Sequence, residues 1–514
     1  MPMFRYFRPI LLLVSSITFI FFPPTIYASS KSCEHRVNNT HEKLQECVTL
    51  YGVRTHQEVF QEIADDNDGN RQSGTTGYNQ SVDYISNTLL DAGYDVSIQP
   101  FQFNEFRQLG PSILEQTIPA SVTYVENSDY NVMTESEPGD FMALVTDVDL
   151  QLGLGNSSSS GCEGDDFIGF PYGNIALIQR GACAFGLKAE NAANAGAIGV
   201  IIFNQGNTPD RFDIINGTLG ANYASGIPVV FASYQRGEEW ANTPGLELRM
   251  LVDTFRGEIT SYNVIAESRH GDSSNVIMAG AHLDSVAAGP GIQDNGSGSA
   301  AILETAIQMA KVKPRNKVRF AWWGAEESGL IGSTHYVGNL EQQEIDDITL
   351  YLNFDMIGSP NYVLFVYDGD DSDEIGAGQG PEGSAQIEKL FESYYMSIGQ
   401  PFKGTDFSGR SDYGPFISVG IPSGGLFTGA AGIKTFDEVG LWGGTAGDQY
   451  DPCYHLACDT FDNINLTALE INSDAVAFAI LQYAMNTSAI NNKKGKGNFK
   501  RPDDMDYIGS KLKR

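Results

Sequence analysis

Positive charge is what this chain is short of: its 514 residues hold 32 Lys and Arg against 64 Asp and Glu, a formal net charge of -32. Nucleic acid and anionic membrane are bound through clustered Lys and Arg, so neither is expected as a partner. The one dense basic stretch, "KKGKGNFK" from Lys493, lies in the segment 491–514, which lacks apolar periodicity and reads as a disordered tail. Apolar runs long enough to span a bilayer are missing too, which argues against a stable membrane anchor. Lysine is absent from the glycine-rich stretch "AHLDSVAAGPGIQDNGSGSA", Ala281 to Ala300. A phosphate cradle needs that lysine, whereas one imidazole and two carboxylates suit a divalent cation.

Cysteine is scarce as well, and the six present fit three disulfides in an oxidising compartment. Pairing nearest neighbours (Cys33 with Cys47, Cys162 with Cys183, Cys453 with Cys458) staples a local loop each time. The start of the chain agrees with that compartment. Arg5 and Arg8 precede an apolar run from Ile10 to Phe22, and small residues around Ala28 offer a cleavage site. Residues 1–28 therefore read as a signal peptide, and the mature protein as secreted or periplasmic.

The length calls for at least two domains. Val82, Ile85, Leu89 and Leu90 have helical spacing, and a strand follows from Asp95. Three strands are predicted at Asn275–His282, Lys317–Glu327 and Thr349–Gly358, with a helical face of Ala300, Leu303, Ile307 and Ala310 between the first two. Further helices are predicted over Ser384–Ile398 and Leu466–Met485. This strand-helix-strand order predicts an α/β fold with a mixed, mostly parallel sheet flanked by helices. Residues 135–255 carry their own strands, an Ala-rich helix and a candidate disulfide, but no acid/histidine cluster. They read as a smaller α/β insert dividing a main domain into 29–134 and 256–490.

Chemistry gathers at the strand ends. His282 and Asp284 close the first strand, Asp294 follows in its loop, Glu326 and Glu327 close the second, and Asp355 the third. In a parallel sheet those ends open on the ligand crevice. Far along the chain, "YDPCYHLACDT" presents His455 between two cysteines whose disulfide would stiffen its loop. Imidazole and carboxylate without thiolate suit zinc, with cobalt or manganese as chemical alternatives. Five ligands exceed one tetrahedral catalytic ion, but with one carboxylate bridging they hold two ions and leave room for a shared water. Asp284 is expected to accept the His282 imidazole proton. His270 and His335 read as surface groups.

The motifs "AHLDS", "GIQDNGSGSA", "WWGAEESGLIGS", "NFDMIG", "GRSDYGPF", "SGGLFTGA" and "DPCYHLACDT" together resemble the zinc-dependent aminopeptidases of the M28 family. The resemblance spans Leu44–Phe103 and Ser261–Met485, and the insert looks like a protease-associated (PA) domain. It implies a zinc exopeptidase fold and removal of N-terminal residues from peptides by a monomer binding two zinc ions. His282 and Asp355 would hold one ion, Glu327 and His455 the other, with Asp294 bridging. Glu326 would be the general base, and Tyr454 and Arg410 would stabilise the oxyanion. "GLFTGAAG" and the insert are expected to line or roof the pocket for the first side chain, with Leu426 and Phe427 favouring large hydrophobic residues. Glutaminyl cyclases share much of the ligand pattern but place tryptophan where this chain has Tyr454. A binding protein with structural metals is the alternative of another class.

Overall fold

The computed structural model describes residues 33, 35–220, 222–376 and 378–491; the leader, 1–28, and the tail beyond 491 lie outside them. Two eight-stranded sheets organise the chain. The first runs, edge to edge, Asp95–Gln108, Thr254–Glu267, Asn316–Trp323, Asp272–His282, Ile348–Phe354, Ser423–Phe427, Phe365–Tyr367 and Lys403–Thr405. Its middle, from Asn316–Trp323 to Ser423–Phe427, is parallel. Antiparallel pairings at Asp95–Gln108, Thr254–Glu267 and Phe365–Tyr367 make the whole sheet mixed.

Parallel strands are covered on both faces, and their sequences show it. Ile277, Met278 and Ala279 are fully buried in succession. Trp322 and Trp323 are also fully buried, and period-two alternation sends them to opposite faces. Trp322 joins the core beneath the helices Gly296–Met309 and Leu466–Met485. Trp323 packs on the other side with Tyr336, Tyr351 and Phe416, where the last two rings stack at 4.0 Å. Truncating either tryptophan to alanine would cost about 3–5 kcal/mol. Leu466–Met485 is apolar on nearly every side because it is buried on nearly every side, and the Asn465 side chain caps its first amides.

The second sheet runs Val122–Tyr124, Ile113–Ile118, Glu247–Val252, Gly139–Val148, Ile175–Gln179, Gly199–Phe203, Val229–Ala232 and Tyr130–Val132. Most of the segment 135–255 thus contributes to this second sheet rather than to the first, which it enters only at Thr254. The sheet also takes in Ile113–Ile118, Val122–Tyr124 and Tyr130–Val132, ahead of the expected boundary at 135. Ile113–Ile118 pairs with Glu247–Val252, a partner so distant in sequence that local periodicity cannot announce it. Entry and exit are adjacent: Gln108 faces Thr254 across the ribbon of Asp95–Gln108 and Thr254–Glu267, and Leu109 N–H donates to Asp253 O at 2.8 Å.

Candidate metal centre

The parallel strands deliver their carboxyl ends to one crevice, as the sequence predicts. His282 is the last residue of its strand and 1% exposed. Asp294 lies one residue before Asn295, whose side chain caps the helix Gly296–Met309. Glu326 and Glu327 sit in the turn after Asn316–Trp323 rather than on the strand itself, and Asp355 follows Phe354 directly. The turns are tight: Ala325, Met356 and His455 all have positive φ, 55°, 53° and 59°. Left-handed backbone costs a non-glycine roughly 1–2 kcal/mol, so surrounding contacts must hold it. For His455 one such constraint is the Cys453–Cys458 disulfide closing the ring around it. The Cys33–Cys47 and Cys162–Cys183 disulfides also form, completing the expected pairing.

Two triads of donor atoms result, with Asp294 common to both: His282, Asp294 and Asp355, and Asp294, Glu327 and His455. His282 Nε2 is 3.1 Å from Asp294 Oδ1 and 3.3 Å from Asp355 Oδ1. His455 Nε2 is 3.1 Å from both Asp294 Oδ2 and Glu327 Oε2. Tetrahedral ligands about 2.0–2.2 Å from zinc stand about 3.3–3.6 Å apart, so both sets have nearly the spacing zinc requires. Asp355 Oδ2 accepts Ser411 Oγ–H at 2.6 Å, while Oδ1, buried, accepts no hydrogen bond.

The electrostatics call for positive charge. Burial disfavours charge on His282, yet the facing Asp355 and Glu326 carboxylates outweigh it and push its pKa well above 6.5. His455, opposed by burial but drawn by Glu327 and Asp294, is pushed up to about 10. Burial would raise Asp294, but hydrogen bonds to the two imidazoles hold it well below the usual carboxylate range. Burial pushes Glu326 well above its ordinary value, with Glu327 and Asp355 adding repulsion against the pull of His282. Glu327 is raised by burial and by Asp294. A dication satisfies such imidazoles and mutually repelling acids at once, so the donor set fits zinc.

Asp284 faces the His282 imidazole with its backbone oxygen nearer than its side chain: the carbonyl is 3.0 Å from Nδ1, while the carboxylate is 3.6 Å away. That carboxylate accepts the N–H groups of Glu326 and Glu327 at 3.2 and 3.3 Å, tying their turn to the histidine strand. Tyr454 stacks on His455 with ring centroids 3.8 Å apart. Tyr454 and Arg410 both line the cleft over the triads, whose volume is about 390 Å³. Phe427 lines it too, whereas Leu426 is fully buried in the core. The lining comes from 294–455 and includes no residue of the insert. His270 is exposed, and His335 is partly buried against Phe101.

Three supporting residues carry no recognisable signal of their own. Arg71 is fully buried and donates to Leu283 O, to Pro290 O at 2.9 Å and to Gly291 O at 2.7 Å, clamping the loop that leads to Asp294. A lone arginine in "GNRQSG" does not announce a contact more than two hundred residues away. Ser411 and Asp459 lie within quoted motifs, but their partners become visible only in three dimensions. Reduction of Cys453–Cys458 is expected to lower zinc retention after gel filtration more than it lowers far-ultraviolet circular dichroism. Equal losses would mean that the ring does not hold His455.

A model of peptidase family M28 matches residues 263–480, and a PA domain model matches 144–240. An aminopeptidase of Pseudomonas aeruginosa is 54% identical over 450 residues, covering 88% of this chain and 84% of that protein. An aminopeptidase structure from Aneurinibacillus sp. strain AM-1 is similar at 27% identity and TM-score 0.61, over 87% of this chain and 97% of that one. A zinc aminopeptidase structure from Bacillus subtilis is similar at 25% identity and TM-score 0.60, over 90% and 99% respectively. Similarity that runs through the strands, the triads and most of the chain has one meaning: this protein belongs to peptidase family M28.

Proposed function

We propose that the protein is an exported aminopeptidase that binds two zinc ions per chain and removes the first residue of peptides. The observation that carries this reading is the pair of triads sharing Asp294. His282, Asp294 and Asp355 would hold one ion, and Asp294, Glu327 and His455 the other. Zinc held there supplies Lewis acidity to a water and to the scissile carbonyl. Glu326 belongs to neither triad yet stands beside them, its Oε2 3.9 Å from His282 Nε2, which suits a group that accepts the water's proton and returns it to the leaving nitrogen. Tyr454, pinned against His455, and Arg410 at the cleft would donate to the oxygen that gains charge. Asp406, an acid that lines the cleft and belongs to neither triad, favours a substrate's free ammonium end.

Export rests on the leader pattern and the three disulfides. The working unit is taken as a monomer whose peptidase domain is interrupted by a PA insert, the chain leaving the peptidase sheet after Gln108 and rejoining it at Thr254. Hydrolysis of an aminoacyl chromogenic amide, with and without chelator, tests the activity. Turnover is expected to vanish on chelation, to return with zinc, and to be absent on an N-acylated substrate. Turnover that survives full metal removal would refute the reading.

Phe365, Tyr367, Phe427 and Tyr450 line the cleft, with Phe365 and Tyr450 edge to face at 5.5 Å. Profiling all aminoacyl substrates is expected to favour large hydrophobic first residues. A sharp preference for acidic or basic ones would contradict this.

A further inference from the structure

We propose that Asp459 is a positioning residue that ties the backbone of Asp294 to the His455 loop and so sets the geometry of the Asp294, Glu327 and His455 triad. The inference rests on the two-zinc reading above. Asp459 is 2% exposed and follows Cys458, the end of the ring that carries His455. It accepts three consecutive backbone amides from the segment ending at Asp294. Ile292 N–H donates to its carbonyl at 3.1 Å, Gln293 N–H to Oδ1 at 2.8 Å, and Asp294 N–H to Oδ2 at 3.0 Å. Asn463 Nδ2 donates to the same Oδ1 at 3.1 Å, and Asp459 N–H donates to Leu456 O at 3.1 Å, folding the ring onto itself. The two loops also touch at Gly289, where a Cβ would stand 2.3 Å from Leu456 O.

The two triads depend on this contact unequally. His282 ends a strand paired on both sides, its Nδ1 is fixed by Asp284 O, and Asp355 is fixed by Ser411. His455 has no strand beneath it; its register against Asp294 comes from the disulfide ring and from Asp459. Arg71 holds the beginning of the Asp294 loop, and Asp459 holds its end. Both carboxylate oxygens of Asp459 are used, one per amide. Asparagine keeps the volume but turns a donor toward one of those amides, and alanine leaves both without an acceptor.

The test is stepwise zinc titration of the metal-free full chain by calorimetry, for the parent, Asp459→Asn and Asp459→Ala. Circular dichroism of the metal-free proteins checks folding; if the alanine variant does not fold, the asparagine variant carries the test. The parent is expected to take up two ions. The variants are expected to bind the first like the parent and the second 10–100-fold more weakly, the usual effect of losing a group that orients a ligand. Turnover of the variants should climb toward the parent's as free zinc is raised, which a merely structural defect would not produce. Two steps matching the parent within twofold, or two steps weakened equally, would overturn the role given to Asp459. A parent that takes up a single ion would instead overturn the two-zinc reading beneath it.

Discussion

Glu326→Gln is expected to leave both zinc ions bound and to lower turnover by about 10² to 10⁴, the range a positioned general base supplies. Glutamine preserves the size of the side chain and its backbone link to Asp284, but it cannot take a proton. Glu326 can be separated from metal binding in this way because it stands apart from both triads, its Oε2 3.9 Å from His282 Nε2. Its neighbour should behave differently. Glu327 Oε2 lies 3.1 Å from His455 Nε2, within the second triad, so Glu327→Gln is expected to weaken or lose one ion. Metal analysis beside steady-state kinetics reads both effects. If Glu326→Gln kept its zinc and turned over within a few-fold of the parent, proton transfer would have to be assigned elsewhere.

The second large effect concerns metal content. Replacing His282 and His455 together by alanine removes one imidazole from each triad and leaves carboxylates that repel one another. Zinc per chain, measured by atomic spectroscopy after dialysis, is expected to fall from close to two to near zero. Full occupancy in the double variant would remove both residues from the ligand set. The chain should stay folded, because the core beneath the site rests on Trp322, Ile277 and the helix Leu466–Met485 rather than on the ions.

Much of this was legible in advance because local pattern and tertiary role coincide. Leu466–Met485 is predicted with the limits it adopts, since its apolar residues recur on several faces up to Met485 and Asn465 marks its start. The strand ends at His282 and before Asp355 follow from apolar runs broken by polar residues, and Asp294 from the glycine-rich loop between strand and helix. What stayed hidden is long-range. Arg71 binds carbonyls from Leu283 onward, and Ile113–Ile118 finds its partner at Glu247–Val252. Asp284 was recognised as a partner of His282, but only the folded turn at Ala325 turns its carboxylate toward two amides. The cleft lacks insert residues for a similar reason: a sequence specifies that an insert exists, not where its body lies over the sheet.

The adjacency of Gln108 and Thr254 bears on how the chain assembles as it is synthesised. The edge strand Asp95–Gln108 emerges long before its partner Thr254–Glu267. Bringing those ends together through an unstructured 109–253 segment would cost roughly 4 kcal/mol of chain entropy. The insert's sheet is complete at Val252, before any of the metal-site strands has been made, and its pairing of Ile113 with Leu251 already sets the two ends side by side. Folding the insert first therefore turns a distant encounter into a local one, and the peptidase half inherits a closed ribbon on which its later strands can register.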